Sequence, residues 1–288
     1  MIAALEREQN GTITLTITIP WASVVAARES VITELVKNME LPGFRKGKVP
    51  RETAEKNLDT SKVYEEVIQK LLPQVYTDAV SDHKLHPVII PKIEIVQAKE
   101  ESDWVVRAHT AEKPAVTLGD YKKAIREAKS AKLNKIWTPK DGVEPPKPEE
   151  EAKSKQMTLG ELLEALLSQV TCQIPEILIE NEVNRALADL IDQTKKLGIT
   201  VDQYLSSTGR TAESVRKEYS ENSRRTLTLE FSLESIGDAE RVFVSDDDIE
   251  KAIKAAKTEE ERASLARERY YLATILRRQK TLDFLSTV

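Results

Sequence analysis

The chain carries few of the residue types on which enzymes build a reaction. Its 288 residues include three histidines, His83, His86 and His109, and a single cysteine, Cys172. His83 and His86 fall between a helical pattern and a strand pattern, and His109 lies on a separate strand. None stands with Cys, Asp and Glu at metal-ligand spacing, so they read as solvated or helix-capping side chains. Cys172 has no partner for a disulfide or a thiolate zinc cluster and reads as a small buried hydrophobe. Neither G-x-S-x-G nor H-E-x-x-H occurs. The nearest approach to a phosphate-binding loop is Gly43…Gly47-Lys48. A P-loop needs four residues between its glycines and Ser or Thr after the Lys; here three intervene and Val49 follows. The segment also lies between two helical patterns and not after a strand. These residues lead us to expect no catalysis, no metal and no cofactor.

What the sequence does concentrate is cationic charge on a rigid loop. Residues 41–50 read LPGFRKGKVP. Arg45, Lys46 and Lys48 offer positive charge on a turn that Gly43 and Gly47 permit, and Arg51 adds a fourth cation. Pro42 and Pro50 limit the conformations lost on binding. Arg45 can pair bidentately with phosphate or carboxylate, and Phe44 can fill an apolar notch. The net charge of the whole chain is −5, so the protein is no general nucleic-acid binder and no DNA is expected as a partner. An anionic partner has to be met by this local patch. The alternative is a solvated basic turn with Phe44 packed back onto its own helices.

The elements around the loop follow from periodicity. Residues 12–19, TITLTITI, alternate with Ile13, Leu15, Ile17 and Ile19 on one face, the pattern of a half-buried strand. From residue 21 to 39 the apolar positions recur at helical spacing, and the helix ends at Pro42-Gly43. A short helix is expected after Pro50. A long helix follows over roughly 63–80, with Pro73 expected to kink or interrupt it. Residues 87–98 and 103–110 read as two strands. This β-α-loop-α-β-β order predicts helices packed on a small antiparallel sheet. Residues 122–156 change character, first basic and helical, then rich in Pro and Glu with no apolar face, which marks a linker. From residue 157 to 288 nearly everything is helical, with breaks at Gly198, Gly209 and the segment RVFV, and Ser245 as an N-cap. Aromatics make up 5% of the chain and charged residues 32%, which points to much exposed helical surface. The expected architecture is an α+β domain over 1–121, a linker over 122–156 and an all-α domain with helical arms over 157–288, elongated as a whole. The N-terminus carries charge where a signal peptide needs an apolar run, and no stretch is long and apolar enough for a membrane span. A cytoplasmic location and no membrane partner are therefore expected.

Gly43, Phe44, Arg45, Gly47, Lys48 and Pro50 fill the six defining positions of the ribosome-docking motif of trigger factor, a bacterial chaperone family, and the preceding strand and helix agree with it. The resemblance continues in AEKPAVTLGDYK, in QIPEILIENEVNRAL with the LGITVDQYL and TGRTAESVRKEY that follow, and in the closing RRQKTLDFL. It covers residues 1–121 and 157–288. The resemblance implies docking through Gly43, Phe44, Arg45, Lys46, Gly47, Lys48 and Pro50 at the nascent-chain exit of the ribosome, on a ribosomal protein and rRNA. It also implies an ATP-independent cradle for unfolded chains and a homodimer off the ribosome. By analogy, Leu190, Phe231, Leu233, Tyr271, Leu276 and Phe284 are candidates for the client surface, against burial in the helical core. Family members usually carry an FKBP-like prolyl isomerase domain between these regions. Here about 35 residues occupy that place, too few for a packed domain, so isomerase activity is not expected. A ribosome-free holdase or export chaperone, and a scaffold for folded clients, remain alternative classes at this stage.

Overall fold

The computed structural model describes residues 2–40, 42, 44–45, 49–134 and 157–288. It divides the chain into two compact units. The first comprises Met1–Lys113 with Pro175–Leu178, and the second Pro114–Ile174 with Ile179–Val288.

In the first unit, β1 (Ile2–Arg7), β2 (Ile13–Ile19), β3 (Lys92–Gln97) and β4 (Trp104–Thr110) form one antiparallel sheet of order β1-β2-β4-β3. The alternation of residues 12–19 is realised: Ile13, Leu15, Ile17 and Ile19 are all buried. They pack with Val24, Val31 and Ile32 of α1 (Trp21–Asn38) and Val63, Val67 and Val75 of α3 (Thr60–Asp82). Between these two helices lies the short α2 (Arg51–Asn57). Two expectations are corrected. β1 was not anticipated: its charged Glu6 and Arg7 conceal a strand that pairs with β2 along its whole length and packs Ala3 against the core. Pro73 does not interrupt α3, which runs through it. Pro73 and Gln69 are both exposed, so water can meet the Gln69 carbonyl that the proline leaves without its helical donor.

The second unit begins before the boundary read from composition. β5 (Val116–Thr117) pairs with β6 (Thr171–Cys172), a short strand in a region expected to be helical. Tyr121 and Ile125 of α4 (Tyr121–Leu133) pack with Leu162 and Leu166 of α5 (Leu159–Leu167). The first part of the expected linker is thus a packed helix, because Tyr121 and Ile125 lie one turn apart on one face. Its Pro- and Glu-rich remainder, residues 135–156, lies outside the described residues. Gly119, at φ +55°, leads into α4. A Cβ there would stand 2.6 Å from the Gln169 carbonyl oxygen, so the backbones approach more closely than a side chain allows.

The remaining elements are helices: α6 (Glu176–Lys196), whose first three residues belong to the first unit, α7 (Val201–Thr208), α8 (Ala212–Ala239), α9 (Asp246–Ala255), α10 (Glu259–Arg267) and α11 (Arg269–Thr287). Breaks fall at Gly198, at Gly209 and over residues 241–244, as the sequence predicts. Ser245 caps α9, accepting from the Asp248 N–H at 3.2 Å while Asp248 accepts in return from the Ser245 N–H at 2.9 Å. One further break, at Glu268, separates α10 from α11 within a segment that reads as a single helical run. It lets Leu265 on one helix and Leu272 and Leu276 on the other meet the same cluster around Ile249 and Ile253.

Candidate docking loop and exposed apolar groove

The basic loop leaves α1 at Asn38 and re-enters helix at Arg51. The α1 periodicity stops where Met39 turns extended, its N–H still donating to the Val36 carbonyl. Pro50 caps α2, accepting at its carbonyl from the N–H groups of Thr53 at 3.0 Å and Ala54 at 2.9 Å. Val49 and Ala54 are buried and fix the returning strand of the loop. Phe44 is 41% exposed and Arg45 is exposed, so the described tip presents one aromatic and one guanidinium to solvent. Gly43, Lys46, Gly47 and Lys48 lie outside the described residues. Arg51 departs from expectation, because its guanidinium turns back onto the protein. Its Nη2 donates to Glu29 on α1, and its Nε donates to Glu55 at 2.6 Å. These two carboxylates pair its charge at the surface.

The second surface lies in the helical unit. A groove of about 550 Å³ opens between α8 and α11, floored by Leu233 and Thr281 and rimmed by Val242, Phe243 and Tyr270. Phe243 is 74% exposed and Tyr270 90% exposed; Tyr271, at 63%, stands beside them. The groove walls are held by ion pairs: Arg277 Nη2 to Asp238 at 2.6 Å and Arg278 Nη1 to Glu230 at 2.8 Å. Arg277 Nε also donates to the Val242 carbonyl at 2.9 Å, and Lys280 lies 2.6 Å from Asp248. Lys280 holds the Asp248 carboxyl well below the usual carboxylate range, helped by the Ser245 cap. Close approach of α8 to α11 depends on Gly237, where a Cβ would stand 3.2 Å from Thr281 Oγ1.

The client candidates read from sequence are divided by this geometry. Tyr271 is exposed, while Leu190 and Leu233 are buried, Leu233 lying at the floor of the groove. Phe231 is half-buried. Leu276 packs against the Ile249 cluster, and Phe284 against the Tyr121 cluster with Lys122 Nζ 5.5 Å from its ring centroid. Sequence reasoning missed Phe243 and Tyr270. Phe243 sits in the RVFV break, where no helix face exists to bury it. Consecutive tyrosines at 270 and 271 diverge by about 100° around a helix, so one of them must leave any single packed stripe.

The histidines serve the fold. His83 ends α3 with Nε2 3.1 Å from the Ala3 carbonyl oxygen, and the His86 N–H donates to Glu112 at 2.8 Å. His109 lies between Thr14 Oγ1, at 2.9 Å, and Glu94, at 3.5 Å. Cys172 is half-buried and not fully buried as expected, and that burial pushes its thiol pKa up, away from the reactive thiolate. No group of three or more His, Cys, Asp or Glu side chains among the described residues could hold a metal ion.

The first unit is thus a small antiparallel sheet with a helix-to-helix loop, and the second is helical and bears a groove with aromatic side chains at its rim. Comparison with known proteins gives the family. Residues 1–136 match the family model described as bacterial trigger factor protein, and residues 147–286 match that of the bacterial trigger factor C-terminus. The chain belongs to the trigger factor family. Trigger factors of Staphylococcus epidermidis and Staphylococcus aureus are 34% identical to it over 122 residues, 42% of this chain and 28% of theirs. The match therefore spans little more than a quarter of those relatives' own length. A solved chain from work on promiscuous substrate recognition in folding and assembly by the trigger factor chaperone superposes with a TM-score of 0.65 at 15% identity. It covers 100% of this chain and 99% of that one, a likeness of fold.

Proposed function

We propose that this chain is a chaperone that docks on the ribosome through the loop at Phe44 and Arg45 and holds unfolded nascent chains, without ATP and without prolyl isomerase activity. The observation that carries the reading is the exposed Phe44–Arg45 tip, set between two anchored helices inside a trigger factor N-terminal match. An aromatic anchor beside a guanidinium suits a surface of protein and rRNA. The groove beside Phe243, Tyr270 and Tyr271 supplies the client surface: apolar enough to hold extended hydrophobic segments weakly, and rimmed by paired charges that keep it soluble. The reading without isomerase activity rests on the short internal stretch between the two family matches. The two family matches leave only residues 137–146 between them, too short to build a packed domain. ATP independence is carried over from the trigger factor resemblance and is checked by holding assays with and without added ATP. Work in the cytoplasm agrees with the absence, among the described residues, of a helix long and apolar enough to cross a membrane. A homodimer off the ribosome belongs to the same reading and is checked by sedimentation of the free protein.

The test is ribosome co-sedimentation of the wild type and of R45E/K46E. The double variant should lose binding while its unfolding free energy stays within about 0.5 kcal/mol of wild type. Wild-type binding should weaken steeply with salt, because phosphate contacts release counterions. Undiminished co-sedimentation of R45E/K46E would overturn the docking reading.

A further inference from the structure

The geometry points to Arg51 as the positioning residue of the docking loop, a clamp that joins its two stems and not a fourth contact to the ribosome. The inference rests on the docking reading above. Arg51 is the first residue of α2, and Glu29 lies on α1 about two and a half turns before the loop departs. The guanidinium spans the two helices: Nε donates to Glu55 one turn further along α2, which orients the planar fork, and Nη2 donates to Glu29 across the gap. A lysine could not bond along two edges in this way.

Neighbouring residues continue the brace. Lys70 of α3 reaches Ser30 at 2.8 Å and Glu34 at 2.5 Å, next to Glu29 on α1. The stretch of α1 from Glu29 to Glu34 is thus tied to both α2 and α3. The tip needs this brace, because Phe44 and Arg45 are exposed and the seats for the returning chain are Val49 and Ala54. A loop whose stems are fixed loses less conformational freedom on docking. The protonation behaviour agrees: hydrogen bonding to Arg51 holds the Glu29 carboxyl below its ordinary range, and Glu55 and Glu29 together raise the Arg51 pKa.

The two roles of Arg51 predict opposite signs for Glu29. If Arg51 contacted phosphate, removing the competing carboxylate of Glu29 would tighten binding to a polyanion. If Arg51 is a clamp, Glu29→Ala weakens binding although it removes negative charge. The experiment uses the full chain and whole ribosomes over a range of salt, with Glu29→Ala, Arg51→Ala and the double variant. Hydrogen exchange of residues 40–50 is followed in parallel on the free protein. The expected result is that each single variant weakens binding roughly two- to fivefold, the scale of exposed ion pairs, and speeds exchange in 40–50. The double variant should be little worse than Arg51→Ala alone, and the salt slope should stay at the wild-type value. Tighter binding by Glu29→Ala, or a salt slope reduced by about one in Arg51→Ala with unchanged exchange, would make Arg51 a phosphate contact. Should wild type fail to co-sediment, the docking reading falls, while the exchange arm still decides whether Glu29 and Arg51 hold the loop.

Discussion

At the scale of single residues, exposure separates surface from scaffold more sharply than residue type does. Leu233 and Tyr271 were equivalent candidates in the sequence, yet one is 5% exposed and the other 63%. The pair that best fits client contact, Phe243 and Tyr270, protrudes from the groove rim, so changing it removes apolar surface without opening a cavity. F243S/Y270S should weaken suppression of aggregation of an unfolded client, measured by light scattering, while the urea midpoint stays near wild type. Leu233→Ala should instead cost about 2–5 kcal/mol of stability, so any loss of holding in that variant reports damage to the fold. The cationic tip was legible because Arg45 and Phe44 sit in a motif of fixed spacing. The inward turn of Arg51 was not, since nothing local reveals that Glu29, on another helix, will stand opposite it.

At the scale of elements, the joint between α4 and α5 carries a pH signature. Glu161 caps α5, and its carboxylate accepts from Lys132 of α4 at 2.5 Å and from the Thr158 N–H at 2.8 Å. Lys132 first, and then the Thr158 cap, lower its pKa from the ordinary 4.5 to about 2. A carboxyl held down in the folded state favours folding above its unfolded value. That contribution is lost as pH falls from about 4.5 toward 2. Glu161→Gln should therefore be less stable than wild type at neutral pH, and the two stabilities should converge across that acid window in circular-dichroism titrations. A constant difference down to pH 2 would contradict this account of the joint. Elements with strong periodicity, such as β2 and α1, were readable from their residues because burial on one face imposes the period. β1 was not, since residues 4–7 are exposed and Ala3 alone among its described side chains packs on the core, too little to impose a pattern. The break at Glu268 was not readable either, because it serves packing between α10, α11 and α9.

At the scale of the whole molecule, each unit has its own buried cluster. Ile17→Ala in the sheet should speed hydrogen exchange across residues 13–19 and 104–110 and leave α8 at its wild-type rates. Acceleration in both units would show that their stabilities are linked. A protease-coupled prolyl peptide assay should give no rate above background, because the chain between the two family matches is too short for a catalytic domain. The sequence by itself determined the α+β and all-α classes, the Ser245 cap and the breaks at Gly198, Gly209 and residues 241–244. Each of these follows from local propensity or periodicity. Only the tertiary structure decided that α4 packs into the helical unit, that Phe243 and Tyr270 stand clear of the core, and that Arg51 faces Glu29. These outcomes depend on which distant side chains meet, and a linear pattern of residue types does not encode that pairing.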